Sequence, residues 1–184
     1  LPEAYQFWSK ASLSNGITTK STYNGKKVQV QEETTASNGE KKIVRNLEYD
    51  SRFKQKPTKI ELLEYASDGT VSRQQYIART YNDWGGINTE TQPLSAGQLN
   101  DSNIKPKYTT TYEYEPACKF ISSKQWYQNG NTVLKEKYTY DSLQRISSYE
   151  NANGEITSYN YAMAPDGRSI AKTTITKQLE NGKT

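Results

Sequence analysis

Residues 138–161 read YTYDSLQRISSYENANGEITSYNY. Tyr138 and Tyr140 stand two residues apart, so an extended chain places both rings on one face. Asp141 follows the second ring, where its carboxylate can accept a backbone N–H and open an Asx turn. Arg145–Glu150 resumes an extended run, Asn153-Gly154 supplies a turn dipeptide, and Glu155–Met163 extends again. The stretch is therefore strand, turn, strand, turn, strand. Stacked hairpins of this kind set tyrosine pairs side by side, each cross-strand pair contributing roughly 0.2–1 kcal/mol. Tyrosine suits a thin sheet because its ring buries while its hydroxyl reaches water.

The same pattern runs outward in both directions. Eight of the eleven glycines directly follow Asn or Asp: Gly16, Gly25, Gly39, Gly69, Gly130, Gly154, Gly167 and Gly182. These dipeptides tolerate positive φ at two successive residues, which predicts two-residue type I′ hairpin turns. Between them lie extended runs at Ile17–Tyr23, around Val28 and Val30, and at Lys41–Tyr49, Thr70–Tyr81, Tyr108–Glu115, Phe120–Gln128, Thr132–Tyr140 and Arg168–Leu179. Thr58–Ala66 reads as a strand, although the Ile60 and Leu63 spacing also fits a helical turn. Residues 1–13 carry Leu1, Tyr5 and Trp8 at helical spacing and read as a short helical or irregular N-terminal cover. Residues 94–106, rich in Pro, Ser, Asn and Gly, read as a long surface loop and a candidate internal boundary. The expected fold is all-β: an antiparallel meander of ten to twelve strands in an elongated, twisted or partly rolled sheet. One β-repeat domain over 1–184 is expected. Asn181-Gly182 is a turn with no strand after it, which reads as a segment of a longer chain.

Composition narrows the chemistry. Hydrophobic residues make up only 33% of the chain and Tyr supplies 15 of them. Disorder is disfavoured, because aromatic and β-branched residues are abundant; a thin sheet with one wetted face fits better. The formal charge is +4 with signs interspersed, and no basic block forms a phosphate-binding stripe, so no nucleic-acid partner is expected. No apolar run reaches the roughly 20 residues of a membrane helix, and no direct membrane insertion is expected. The absence of histidine removes imidazole-based triads and dyads. A single cysteine, Cys118, allows no internal disulfide and no Cys-rich zinc site. No metal and no cofactor are expected, and no residue is assigned a catalytic role.

A tyrosine-centred signature recurs: Leu47-Glu48-Tyr49-Asp50, Tyr81-Asn82-Asp83-Trp84-Gly85-Gly86, Tyr112-Glu113-Tyr114-Glu115, and Tyr138-Thr139-Tyr140-Asp141 continuing through Arg145 to Tyr159-Asn160-Tyr161. The reference tyrosines Tyr49, Tyr81, Tyr114, Tyr140 and Tyr161 recur at irregular intervals. This unit resembles the YD repeat of the RHS family, most clearly over 138–161 and loosely over 40–180. Asp141-Ser142-Leu143-Gln144-Arg145-Ile146 follows the family's turn, with Gln144 where Gly is usual. Glu115 stands where the family has Asp, and Leu47 where it has the first Tyr. The resemblance implies a β-strip from a bacterial secreted or cell-surface protein, which in larger members coils into a shell around a toxic domain. Nothing here matches a toxin domain or a self-cleaving core, so what the resemblance implies is scaffold, shell wall or interaction surface. Partners would be flanking repeats of the same chain or another copy. Any signal or anchor for secretion is expected outside this segment.

Two alternatives come from other residues. Trp84, Trp126 and Tyr127 are candidate ligand-binding aromatics, able to stack on sugar rings as in a carbohydrate-binding module. Their ordinary fate is core or ladder packing. Glu113 and Glu115 share a strand face, and paired carboxylates beside aromatics are what a glycosidase needs. Such a pair is ordinarily a solvated strand face.

Overall fold

The computed structural model describes residues 8–178, with side chains from residue 10 onward. It contains thirteen strands, and sheet order equals chain order. They are β1 (Trp8–Ser14), β2 (Ile17–Tyr23), β3 (Gln29–Thr35), β4 (Lys41–Tyr49), β5 (Pro57–Tyr65), β6 (Val71–Tyr81), β7 (Ile87–Thr91), β8 (Thr109–Tyr114), β9 (Ile121–Gln128), β10 (Thr132–Tyr140), β11 (Ile146–Glu150), β12 (Ile156–Met163) and β13 (Ile170–Gln178). The paired strands run antiparallel, as an all-β meander requires. The chain divides into two compact units, residues 1–109 and 110–184.

Four expectations are corrected. There are thirteen strands rather than ten to twelve. Trp8–Leu13 is not helical: it belongs to β1, whose register with β2 runs from Trp8↔Tyr23 to Ser14↔Ile17. The Asn15-Gly16 turn closes that hairpin and makes strand pairing the cheapest way to satisfy this backbone. The Leu1 and Tyr5 part of the cover, and the Asn181-Gly182 turn, lie outside the described residues. Residues 94–106 are not a plain loop: they hold α1 (Ala96–Asn100) and lead into a 3₁₀ turn at Lys105–Tyr108. Ser95 and Gln98 form a capping box there, satisfying two orphan donors reciprocally. Leu94 and Leu99 are buried, so apolar burial holds this polar-looking segment. The helical alternative for Thr58–Ala66 gives way to β5, paired on both edges.

The fourth correction concerns turn geometry. Among the described residues only Asn15-Gly16 and Asn129-Gly130 have positive φ at both residues. Most other bends enclose three residues, and only the last is left-handed. At Asn151, for example, Gly154 N–H donates to Asn151 O (2.9 Å) and Asn151 N–H to Glu155 O (2.9 Å), with φ +82° at Gly154. This is a type I turn closed by a G1 bulge. The pattern repeats with Lys27, Gly39, Gly69, Gly85 and Gln144 in the left-handed place. At Asn24-Gly25 the left-handed residue is thus Lys27. The residue opening the bend is often an Asx whose side chain ties it shut. Asn24 Oδ1 accepts Lys26 and Val28 N–H, both at 3.0 Å. Asp141 Oδ1 accepts Leu143 (2.9 Å) and Arg145 (3.0 Å), and Asn151 Oδ1 accepts Asn153 and Glu155, both at 3.0 Å. The Asx turn expected after the repeat tyrosine is present.

The two units differ in how they use apolar burial. The first buries Ile43, Ile60, Leu63, Tyr81, Leu94 and Leu99. In the second, no apolar side chain among the described residues reaches that burial, and Leu143 and Val133 stay half exposed or more. The thin core expected from composition is thinnest here.

The left-handed bends yield a matched pair of substitutions. Gln144 at φ +62° carries the Cβ penalty that glycine lacks. Gln144→Gly should raise stability by up to about 1 kcal/mol, and Gly154→Ala should lower it by about as much. Urea unfolding of the two variants beside the parent chain measures both.

Candidate functional site

The repeat tyrosines converge on one device. Main-chain pairing between β9 and β10 ends at Ser123↔Lys137, short of the start of β9. Past that point Tyr140 Oη donates to Ile121 O at 2.7 Å. The same occurs where β11–β12 pairing ends at Ser148↔Ser158, and Tyr161 Oη donates to Ile146 O at 2.8 Å. In the first unit Tyr49 donates to Gln29 O (3.3 Å) and Tyr81 to Pro57 O (2.7 Å). The ladders there stop at Gln31↔Arg45 and Lys59↔Ala78. Each hydroxyl thus takes a carbonyl beyond the end of the main-chain ladder, and Gln29 O also accepts Asn46 Nδ2 at 2.9 Å.

The acceptors are not arbitrary. Gln29, Pro57, Ile121 and Ile146 are the residues registered opposite Tyr23, Tyr49, Tyr114 and Tyr140. Each tyrosine therefore locks onto the residue paired with the preceding tyrosine: Tyr23, Tyr49, Tyr81 in one unit and Tyr114, Tyr140, Tyr161 in the other. A register shift accompanies Tyr23, Tyr49, Tyr81, Tyr114 and Tyr140. Such bulges re-aim a side chain and increase local twist. The irregular sequence intervals arise because the bends between locks differ in length while lock geometry is kept. Sequence reasoning did not place Tyr23 in this series; a Tyr-Asx pair at the strand end, here Tyr23-Asn24, is the signal that finds it. In the last hairpin Met163, not Tyr161, occupies the place before the bend, and Tyr161 reaches its acceptor from two residues earlier on the same face.

The remaining repeat residues brace the locks. Asp50 Oδ1 accepts Arg52 and Phe53 N–H at 2.8 and 3.1 Å, while the Arg52 guanidinium donates to Tyr81 O (2.8 Å) and Asp83 (2.9 Å). Arg145 binds Asp141 Oδ2 at 2.7 Å and lies 4.3 Å from the Tyr161 ring centre. That hydrogen bond from Arg145, with the backbone donors, holds the Asp141 carboxyl below its usual range. Desolvation raises Asp50, but the donors from Arg52 and Phe53 outweigh it and leave its carboxyl low. Tyr138 and Tyr149 pair across β10–β11 with ring centres 5.1 Å apart. Both hydroxyls donate to Glu136, each at 3.0 Å. Burial, then the Glu136 carboxylate, pushes Tyr138 up to about 12. Burial raises Tyr114 and Tyr140 as well. Tyr112 registers with Lys124 and Tyr159 with Ile175.

A second polar assembly crosses the first unit. Gln31, Arg45, Glu61 and Tyr76 are registered neighbours on β3 to β6. Glu61, buried, accepts from Arg45 (2.9 Å), Gln74 (2.7 Å) and Tyr76 (3.3 Å), and Arg45 reaches Gln31 at 3.1 Å. Sequence gave no sign of this row, since cross-strand register is invisible before the bends are fixed. Trp84 lies in the bend before Gly85, and its indole rests where a Gly86 Cβ would sit, 2.3 Å from the nearest ring atom. The Trp126 ring carries Lys124 Nζ 4.9 Å from its centre. Tyr127, next in β9, points to the opposite face. Glu113 accepts Ser123 Oγ at 2.6 Å and faces Lys135 at 3.5 Å, which together hold its carboxyl low. Glu115 accepts Ala117 N–H at 3.5 Å.

Two outcomes follow for the locks. Tyr140→Phe removes one hydroxyl and strands a carbonyl, lowering stability by about 1 kcal/mol in urea unfolding, whereas Tyr127→Phe leaves it within about 0.5 kcal/mol. Because Tyr138 keeps its proton in the fold beyond the ordinary 10.0 to about 12, its stabilisation is complete below pH 10 and lost as pH rises toward 12. Tyrosinate absorbance recorded along an alkaline unfolding series should show this decline, and Tyr138→Phe should flatten it.

No protein-family model and no curated protein sequence matches the chain. Among solved structures, a chain in the crystal structure of TcdB2-TccC3-Cdc42 is similar at a TM-score of 0.54 and 10% sequence identity. The match covers 92% of this chain and 9% of that one. At that identity the likeness is one of fold alone.

Proposed function

We propose that this chain is a non-enzymatic β-repeat segment of the YD/RHS kind. It acts as scaffold, shell wall or interaction surface in a secreted or cell-surface bacterial protein, with flanking repeats or another copy as partners. The observation that carries the reading is the tyrosine lock: the most specific side chains of the repeat are spent on joining one hairpin to the next. The shared fold with part of the TcdB2-TccC3-Cdc42 structure supports it. No described helix is long and apolar enough to cross a membrane.

The test has two arms. Fractionation and protease shaving of intact producing cells should find the protein outside or on the surface, and recovery only from the cytosol overturns the location. Purified chain offered chromogenic glycosides should give no turnover, and turnover that disappears in Glu113→Gln overturns the non-enzymatic reading.

A further inference from the structure

The first unit breaks its own rhythm once. Between β7 and β8 the chain leaves the hairpin pattern from Gln92 to Tyr108 and folds α1 and the 3₁₀ turn over the sheet. Leu94 anchors the excursion, exchanging backbone bonds with Tyr76 at 2.7 and 2.9 Å, and Leu99 is buried beneath it. This connection is far longer than the two to five residues usual between paired strands. It borders a half-open cavity of about 350 Å³ lined from β4, β5, β6, β7, α1 and the 3₁₀ turn, at the small end of the roughly 300–1,000 Å³ of ligand sites.

The lining has a definite chemistry. Thr80 and Thr89 join hydroxyls at 2.6 Å, and a hydroxyl pair retains one proton and several lone pairs for a third group. Thr91, only 4% exposed, accepts Ala78 N–H at 2.9 Å, which leaves its own O–H to donate. Lys59 at the wall is balanced by Glu48 at 3.6 Å. Lys105 also lines it, and among the described residues its ammonium has no ion-pair partner. Leu99 supplies an apolar wall. Clustered hydroxyls beside one uncompensated cation suit a small ligand that is itself polyhydroxylated and carries one negative charge.

We infer that this cavity binds an acidic sugar residue, a uronic or sialic acid, with its carboxylate toward Lys105 and its hydroxyls against Thr80, Thr89 and Thr91. The site adjoins the Tyr81 lock, but no lock tyrosine or acceptor lines it, and the proposal goes beyond the scaffold reading. It also differs from sugar stacking on Trp84, Trp126 or Tyr127, since no aromatic platform is used.

The test is ¹⁵N NMR titration of the whole chain with glucuronic acid, N-acetylneuraminic acid, neutral glucose and inorganic phosphate. Amide shifts from a sugar acid should centre on residues 78–80, 89–91 and 99–105. Lys105→Gln should weaken that binding roughly tenfold while leaving the remaining spectrum unchanged, and Thr89→Val should weaken it without altering the charge. A hyaluronan oligosaccharide run alongside separates the sources: binding of the free acid alone supports a metabolite, and binding of the oligosaccharide supports a glycan chain. The proposal is overturned if no sugar acid shifts these amides, or if glucose or phosphate does so at equal concentration. It also fails if the shifts gather at Trp84 or Trp126.

Discussion

A phenolic hydroxyl given to a main-chain carbonyl just beyond the end of a β-ladder is the interaction on which this molecule depends. Sheets twist, and adjacent strands diverge toward their ends. Where they diverge, carbonyls lose their ladder donors, and a buried unpaired carbonyl is costly. The tyrosine bridges the widening gap with a rigid ring and a polar tip. In the second unit this matters most, because no described apolar side chain there is buried. Each bond is modest alone, about 0.5–1.5 kcal/mol net. Its effect is geometric: it fixes the register of one hairpin against the next.

The first unit adds a different solution. Its polar row is centred on a buried carboxylate, Glu61, which accepts from three donors. Burying such a group is unfavourable unless every lone pair is served, and removing one partner costs more than the pair ever contributed. The row therefore specifies alignment of β3 to β6 more than it stabilises them. Apolar residues sit beside it, with Ile43 facing Leu63 across β4–β5. A meander whose strands carry many polar residues needs such register markers, since a slip by one residue inverts every side chain.

Much of this was legible beforehand. Bends at Asn and Asp, strands between them and the Asx turn after Tyr140 all follow from local chemistry. Turn type was less legible, because Asn-Gly serves equally in a two-residue turn and at the end of a three-residue bend; the neighbouring strand register decides. Lys27 and Gln144 take the left-handed place without glycine, which no composition rule announces. The stretch around Leu94 and Leu99 misled because its burial depends on β6, distant in sequence. The lock itself was half visible. Its donor is a tyrosine anyone can count, but its acceptor is a carbonyl, and every residue has one.

That asymmetry shapes how such a chain can change over time. Of the four observed acceptors one is a glutamine, one a proline and two are isoleucines; even proline, which cannot donate, serves fully. Half of every joint is therefore written in backbone and leaves no trace in the alphabet of side chains. Loop lengths and surface side chains can change without touching the acceptor half of the joint. A chain built this way can share one fold with a distant counterpart while agreeing with it at only one position in ten.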